Sequence, residues 1–302
     1  MRRWESTTRK ITGALLDDFL LQGGDWVAQV SAPLPIRVIL SVLGVSIEDA
    51  DYLVELSNCL VEGTSDQRIL ARDAYGNTAD LPLLPFSSPA SHASFEYGER
   101  LGSARISSPR PDLMSKLATA HGIAGGLTRS EFLKMFHVLV FAGNETTRTA
   151  MSHAAIAFAD QSQAWQQLRD DPSLFASAVE QTLRWSTPVL HMRRTATRAT
   201  TLANTHINAG DKVVMWYASA NFDDAPFTDP QQFDITRARN TQLSFGGGRP
   251  HLCLGAFLAR REIRVLFEEM LKRQIVLVRK GEPQRVASNF VNGVVAAAME
   301  PK

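Results

Sequence analysis

The chain has 302 residues, a formal net charge of +1 and 21% charged residues. This length allows one large domain or two small ones, and the charge balance gives no sign of nucleic-acid binding or an acidic tail. Its two cysteines, Cys59 and Cys253, are too few for a disulfide framework and suit a reducing compartment. No apolar signal segment follows Met1. No apolar run reaches the ~18 residues of a spanning helix, so we expect a cytoplasmic protein without a membrane span.

The first part of the chain is predicted to be helical. Apolar residues at helical spacing predict helices over 11–20, 25–44, 49–61, 92–101 and 112–120. Pro33 and Pro35 are expected to break the second of these, and the Pro/Ser-rich segment 81–89 is expected to be a loop.

The longest predicted helix begins at a capping box formed by Thr128 and Glu131 and continues for ~30 residues, or ~45 Å. Its apolar residues point in every direction, so we expect it to be central and buried on all sides. The run Ala-Gly-Asn-Glu-Thr at 142–146 lies in its middle. A glycine and two polar side chains in a buried helix cost free energy unless they are partnered, which marks a candidate functional site.

A further helix is predicted over 175–185, ended by Pro188. Alternating residues predict short strands over 189–197, 200–208, 212–216, 275–278 and 294–298.

The stretch 245–255 reads Phe-Gly-Gly-Gly-Arg-Pro-His-Leu-Cys-Leu-Gly. Successive glycines permit turns with positive φ. Apolar residues at helical spacing follow, so Cys253 is expected at a helix N-terminus, where the macrodipole stabilises a negative charge. A thiolate presented by a glycine loop suits a flat metal macrocycle that lies against the backbone.

This stretch also has three simpler interpretations: a phosphate-binding loop, a zinc site and a structural turn. A phosphate-binding loop is disfavoured because no Lys-Ser/Thr pair follows the glycines. A zinc site is disfavoured because no second Cys/His pair lies near His251 and Cys253. A structural turn followed by a small buried cysteine stays open, and the loop alone does not separate that interpretation from a metal ligand.

Taken together, the motifs resemble those of cytochromes P450. The stretch 245–255 is similar to the haem-thiolate loop, in a form found in some bacterial members that act on sterols or branched lipids. The run 142–146 is similar to the oxygen-activating Ala-Gly-x-(acid)-Thr helix centre. Residues 227–237 match the pattern Phe-x-x-Pro-x-x-Phe-Asp-x-x-Arg of the segment that precedes the loop. The resemblance implies a mainly α fold with small β-sheets, formed by a single domain over 1–302 that is shortened at its N-terminus.

The resemblance also implies haem b as cofactor, with Cys253 as the iron ligand. The residues it places at the cofactor are Ala142, Gly143, Arg194, Phe245, Gly246, His251, Cys253 and Gly255. Arg194 and His251 would bind the propionates, because a planar guanidinium suits a carboxylate. A solvent-facing arginine and a loop-stabilising histidine are the simpler alternatives. Val189 and Leu190 would border the substrate.

Thr146 and Glu145 are the catalytic candidates carried by the resemblance. Thr146 would donate a hydrogen bond to bound dioxygen, and Glu145 would connect it to solvent protons, since a hydroxyl beside a carboxylate can relay them. The alternative is an acid and an alcohol that bond only to the local backbone.

The chain departs from the family pattern in its structural triad. Gln181 stands where the family has the glutamate that pairs with Arg184 and Arg237. Glu180 is adjacent in sequence but lies about 100° round the helix. If both arginines are buried against Gln181, the unpaired charge is expected to destabilise the fold by ~3 kcal/mol or more. We therefore expect that Glu180 reorients, that another acid substitutes, or that the site is looser.

Two functions follow from these patterns. The first is a haem-thiolate monooxygenase that uses dioxygen and electrons from a ferredoxin-type partner to oxidise an apolar small molecule. Its partner would dock near four basic residues, although a solvated helix face explains them nearly as well. These residues are Arg249, Arg260, Arg261 and Arg264. The second is a degenerate relative that binds a ligand or partner without catalysis, an interpretation favoured by Gln181 and by the expected short N-terminus.

Overall fold

The computed structural model describes residues 2–62, 89–238, 240–248 and 250–302. The predicted loop at 81–89 therefore lies almost wholly outside the described residues, as does Arg249. The α-helices are α1 (Arg2–Gln22), α2 (Pro33–Leu43), α3 (Ala50–Glu62), α4 (Pro89–Ser107), α5 (Leu113–His121), α6 (Arg129–Asp160), α7 (Ser162–Asp170), α8 (Phe175–Ser186), α9 (Tyr217–Asn221) and α10 (Ala256–Lys272). A π-helix at Val27–Ser31 precedes α2.

The β-structure is small and antiparallel. The strands are β1 (Gly24–Asp25), β2 (His191–Thr195), β3 (Thr200–Leu202), β4 (Thr205–Ile207), β5 (Lys212–Trp216), β6 (Leu277–Arg279), β7 (Gln284–Arg285), β8 (Val294–Ala296) and β9 (Ala298–Pro301). β9 lies between β1 and β6, whereas the pairs β2–β5, β3–β4 and β7–β8 form separate two-stranded sheets. The mainly α fold with small β-sheets is confirmed.

Helix α6 is the central element. The Thr128 side chain accepts a hydrogen bond from the Glu131 N–H, and the Glu131 carboxylate accepts one from the Thr128 N–H, so the predicted capping box is present. Its 32 residues make it about 48 Å long. The amino-terminal half packs into a core with α2 to α5, and the carboxyl-terminal half into a core with α1, α8 and α10.

Glycines allow α4 to approach α6 closely. A Cβ placed on Gly98 would lie 2.5 Å from Cδ1 of Phe136, and one placed on Gly102 would lie 2.6 Å from Cζ of Phe132. The rings of α6 therefore fill the space that side chains at these two positions would otherwise occupy.

The break expected at Pro33 and Pro35 is present, because the π-helix ends at Ser31 and α2 begins at Pro33, where the missing N–H is not needed in a first turn. Two other expectations about the helices need correction. Helix α7 was not predicted, since Trp165 and Leu168 are among few apolar residues in a polar segment. Helix α6 is not buried on all sides, as Met135 is 39% and Val138 47% exposed. In the described parts of the chain, no helix is both long and apolar enough to cross a membrane.

Candidate functional site

The loop before α10 turns at glycines, as predicted. Gly246 and Gly248 have φ of +77° and +79°, a region that side chains rarely adopt. The Gly246 N–H donates to the Leu243 carbonyl at 2.8 Å. A Cβ at Gly246 would lie 3.5 Å from the Tyr217 hydroxyl and 3.6 Å from the His251 carbonyl oxygen, so the loop folds tightly around this residue.

Cys253 lies at the amino end of α10 with an exposed, free thiol. Its N–H donates to the Phe245 carbonyl at 3.1 Å, and its own carbonyl accepts from the Ala256 N–H at 3.3 Å. Gly255 is the N-cap residue, and a Cβ there would come within 3.9 Å of the Cys253 sulfur. The loop thus carries the thiol on a backbone that is fixed at both ends, with a small residue beside the sulfur.

Large apolar side chains around this thiol are exposed. Leu252 is 51%, Leu254 87% and Phe257 50% exposed. Exposed apolar surface concentrated around one polar atom is typical of a ligand-binding surface. His251, beside them, is also exposed.

The centre of α6 has one buried and one open face. Asn144 is fully buried and Glu145 is 5% exposed, as the sequence predicted for a strained helix centre. Ala142 is exposed, and Gly143 and Thr146 are half-buried. Met135 and Val138, the exposed residues of the preceding turns, lie on the same face as Ala142 and Thr146, because these four positions follow one another at steps of three or four.

The two catalytic candidates on α6 point to different surroundings. The Thr146 hydroxyl donates to the Ala142 carbonyl at 2.9 Å. The Glu145 carboxylate instead accepts from Nη1 of Arg148 at 3.3 Å, and both side chains are about 7% exposed. Arg148 also donates to Asn58 Oδ1 of α3 at 2.5 Å and to the Val294 carbonyl of β8 at 3.4 Å. The acid is therefore held by an ion pair that ties α6 to α3 and β8.

Arg184 is fully buried, and its described hydrogen bonds go to uncharged oxygens. Its Nε donates to Gln181 Oε1 at 3.0 Å, and its Nη atoms donate to three backbone carbonyls at 2.6 to 3.1 Å. These carbonyls belong to Asn221, Pro230 and Gln232. Burial, followed by the nearby charge of Arg237, lowers the pKa of the Arg184 guanidinium to about 10. The loss of the family glutamate is thus met by carbonyl dipoles.

Arg237, the third member of the predicted triad, forms its described hydrogen bonds with backbone carbonyls rather than with Gln181. It is half-buried and donates to the carbonyls of Thr228, at 2.6 Å, and Asp229, at 3.3 Å. The guanidinium carbons of Arg184 and Arg237 lie 5.1 and 5.9 Å from the centre of the Phe227 ring. The two arginines therefore share an aromatic ring.

Glu180 does not reorient toward Arg184. Its carboxylate binds the Arg260 guanidinium of α10 at 2.5 and 3.1 Å and accepts from the Gln242 side chain at 3.1 Å. The two other described arginines of the predicted docking surface are also paired, Arg261 with Glu5 and Arg264 with Glu268. This pairing leaves the surface with less free positive charge than its sequence suggests.

The strand residues lie in the β2–β5 hairpin and beside it. Arg194 is exposed in β2, where Nη1 donates to the Arg193 carbonyl at 3.1 Å. Val189 forms a bridge with Val291, and the Leu190 N–H donates to the Phe290 carbonyl at 2.9 Å. Both predicted substrate residues are half-buried.

Sequence reasoning missed an aromatic group beside these residues. His191 packs edge-on against Trp216 and Phe290, with ring centroids 4.7 and 5.8 Å away. Trp216 and Phe290 are 53% and 42% exposed. The sequence signal for this group was Trp216, a large apolar residue at an exposed position of strand β5.

These residues fit an iron porphyrin. The donor is an exposed thiol, and the room left by Gly255 would bring a flat group close to the backbone. Exposed apolar side chains around the sulfur suit the ring, and the exposed guanidinium of Arg194 and imidazole of His251 suit propionates. Fold and site together therefore define a protein of the haem-thiolate class.

Comparison with known proteins gives the family. A family model described as cytochrome P450 matches residues 160–297. The methyl-branched lipid omega-hydroxylase of Mycobacterium tuberculosis is 36% identical over 274 residues, which cover 89% of this chain and 60% of that protein. The steroid C26-monooxygenase of Mycolicibacterium smegmatis is 35% identical over 274 residues, with 90% and 60% covered.

Solved structures agree with this assignment. The Mycobacterium marinum cytochrome P450 CYP268A2 in complex with pseudoionone has a TM-score of 0.87 and 31% identity, and the match covers 99% of this chain and 70% of that chain. The chain belongs to the cytochrome P450 family, and the predicted fold and family are confirmed. It spans about 60% of the length of the curated relatives named above.

Proposed function

We propose that this chain carries the site of a haem-thiolate monooxygenase that inserts oxygen into a C–H bond of an apolar small molecule. The observation that carries the proposal is the exposed Cys253 thiol, fixed by the hydrogen bond of its N–H to Phe245 at the mouth of α10. Family membership makes an iron porphyrin the expected partner of this thiol, and haem b is the form we propose.

Cys253 would hold the iron, and Arg194 and His251 would hold the propionates. When bound, haem supplies the activation of dioxygen, which a thiolate ligand favours by donating electron density. Phe245, Gly246 and Gly255 would keep the sulfur in position. Ala142 and Gly143 would let α6 lie close to the ring, because neither side chain projects far.

Thr146 and Glu145 would handle protons. The Thr146 hydroxyl donates its one proton to the Ala142 carbonyl, so it would have to rotate away from that carbonyl to donate to dioxygen, while its oxygen keeps lone pairs for a proton donor. The Glu145 carboxylate lies on the buried side of the same helix, about 100° away. A proton that passes between Glu145 and Thr146 therefore needs a bridging water. The ion pair with Arg148 fixes the position of the carboxylate.

The substrate is proposed to be an apolar, lipid-like molecule. The relatives named above are a methyl-branched lipid hydroxylase and a steroid monooxygenase, and a linalool 8-monooxygenase of Pseudomonas putida is 33% identical over 270 residues. Val189 and Leu190, with the aromatic group beside them, would contact it.

Electrons would come from a ferredoxin-type partner. We also propose a single domain and a cytoplasmic location, which suits two cysteines that form no disulfide.

Reduction of the haem-loaded protein under carbon monoxide tests the proposal. We expect a red-shifted, thiolate-type Soret band that Cys253→Ala abolishes. Cys59→Ala is the matched control, because it removes the other cysteine of the chain, on α3, and should leave the band unchanged.

Failure to bind haem would instead support the second candidate, a degenerate relative that binds a ligand or partner. The observation that favours it is the uncharged Gln181 beside Arg184.

A further inference from the structure

Arg260 connects α8 to the loop that carries Cys253. On one side its guanidinium forms two bonds to the Glu180 carboxylate, at 2.5 and 3.1 Å. On the other, its central carbon lies 4.5 Å from the centre of the Phe245 ring, within cation–π distance. The Phe245 carbonyl accepts the Cys253 N–H. An unbroken series of contacts therefore runs from α8 to the cysteine backbone.

A second set of bonds reinforces the same end of the loop. Gln242 donates to Glu180, and its side-chain oxygen accepts from the Ser244 N–H at 2.6 Å. The Ser244 hydroxyl donates to the Leu183 carbonyl of α8 at 2.6 Å. Residues 242–245 are thus fixed to α8 through Glu180 as well as through the backbone.

We infer that Glu180, Arg260 and Phe245 form a clamp that positions Cys253, and that this clamp supports the loop where Gln181 has replaced the family glutamate. Position 181 has no carboxylate, but the preceding residue, Glu180, has one. It pairs with Arg260 of α10 instead of with Arg184. Glu180 and Arg260 are positioning residues, since neither touches the sulfur. Their side chains are 27% and 39% exposed, so we expect a moderate effect.

Arg260→Met tests the clamp, because methionine keeps the aliphatic packing but loses the charge and with it the ion pair and the cation–π contact. Glu180→Gln is the milder variant, which keeps the shape and loses only the charge. Arg261→Met is the matched control. Arg261 is the next residue of α10 and has the same chemistry, but its described ion pair is with Glu5 of α1, at 2.7 Å, and its described ring contact is with Phe257, at 5.6 Å.

The first measurement is hydrogen exchange at the amides of Cys253 and Gly246 in the protein as isolated. We expect about tenfold faster exchange in Arg260→Met, a smaller rise in Glu180→Gln and no change in Arg261→Met. The double variant Glu180→Gln/Arg260→Met should exchange only slightly faster than Arg260→Met alone, because both changes break the same ion pair and Glu180→Gln in addition weakens only the bond from Gln242. Equal exchange in Arg260→Met and the parent, or equal acceleration in Arg261→Met, would overturn the clamp.

The second measurement rests on the proposed function. In the haem-loaded protein reduced under carbon monoxide, we expect the thiolate-type Soret band of Arg260→Met to decay about tenfold faster than that of the parent or of Arg261→Met. A parent without that band would refute the proposed function, while the exchange measurement would still decide the clamp. Equal decay in all three proteins would refute the positioning role.

Discussion

The buried Arg184 guanidinium lies 3.0 Å from the Gln181 amide oxygen, in the position where a carboxylate would neutralise it. Its other bonds also go to uncharged oxygens, and two phenylalanine rings, Phe222 and Phe227, lie 5.1 Å from its central carbon. Burial, followed by the nearby positive charge of Arg237, lowers the pKa of this arginine to about 10, and the charge of Asp234 opposes that shift only in part. The arrangement is satisfied in hydrogen bonds but only partly in charge.

Gln181→Glu should therefore stabilise the protein. A charge-assisted bond to Arg184 would replace a neutral one, and we expect a gain of about 1–2 kcal/mol in the free energy of unfolding at pH 7. Because Arg184 would lower the pKa of the new carboxyl, the gain should be lost as the pH falls below the unfolded value of ~4.3. Urea unfolding measures both effects. Gln181→Met, which cannot accept a bond, should destabilise, and a Gln181→Glu protein no more stable than the parent would contradict this account.

Glu145 and Arg148 should be energetically coupled. Arg148→Met removes the positive charge beside a buried carboxylate and should cost ~3 kcal/mol of unfolding free energy. In the double variant Glu145→Gln/Arg148→Met the loss should be smaller than the sum of the single losses by ~1–2 kcal/mol, since the charge left behind has also been removed. Additive losses would show that the pair contributes nothing specific.

Acid should destabilise the protein through its buried histidines. Burial lowers the pKa of His153 to about 4, and its Nε2 lies 2.9 Å from the Asn292 carbonyl. The folded state keeps this histidine neutral while the unfolded chain takes up a proton near pH 6.5, so its contribution is complete above pH 6.5 and is lost as the pH falls toward 4. Between pH 7 and pH 5 we expect a loss of about 2 kcal/mol from this residue.

His153→Gln should remove this part of the pH dependence. His137, whose pKa burial also lowers to about 4, would retain its own part, so the slope should fall by about half. Unfolding free energies at pH 7 and pH 5 give the answer. An unchanged slope in His153→Gln would show that the imidazole is accessible to protons in the folded state.

A side chain added at a glycine of α4 that faces α6 should strain the packing between these two helices. Gly102→Ala places a methyl group 2.6 Å from the Phe132 ring, and we expect a net destabilisation of about 1–2 kcal/mol after the better helix propensity of alanine is included. Gly122→Ala is the control, because its new methyl group would meet its nearest atoms at 3.6 and 3.7 Å and its φ of −76° suits any residue. Equal stability of the two variants would contradict the close approach.

The sequence predicted the elements whose local chemistry decides them. The capping box of α6 and the glycine turns at Gly246 and Gly248 are found where they were expected. Each depends on the local backbone and its side chains, so neighbours in sequence suffice to predict it.

Contacts between distant elements were beyond the sequence. Nothing local shows that Glu180 binds Arg260 rather than Arg184, since that choice depends on how α8 packs against α10. The exposure of Met135 and Val138 on α6 was missed for a similar reason. Apolar residues predict burial, and only the packing of neighbouring elements decides which of them stay exposed.

The three-stranded sheet has a consequence for the order of folding during synthesis. Strand β9, Ala298–Pro301, pairs with β1 near the other end of the chain, and the Asp25 carboxylate accepts the Ala297 N–H at 2.9 Å. During synthesis, residues 24–25 remain unpaired until residues 297–301 have been added. Helix α1 should thus stay sensitive to proteases until β9 has formed, and deletion of residues 298–302 should leave α1 in that same sensitive state.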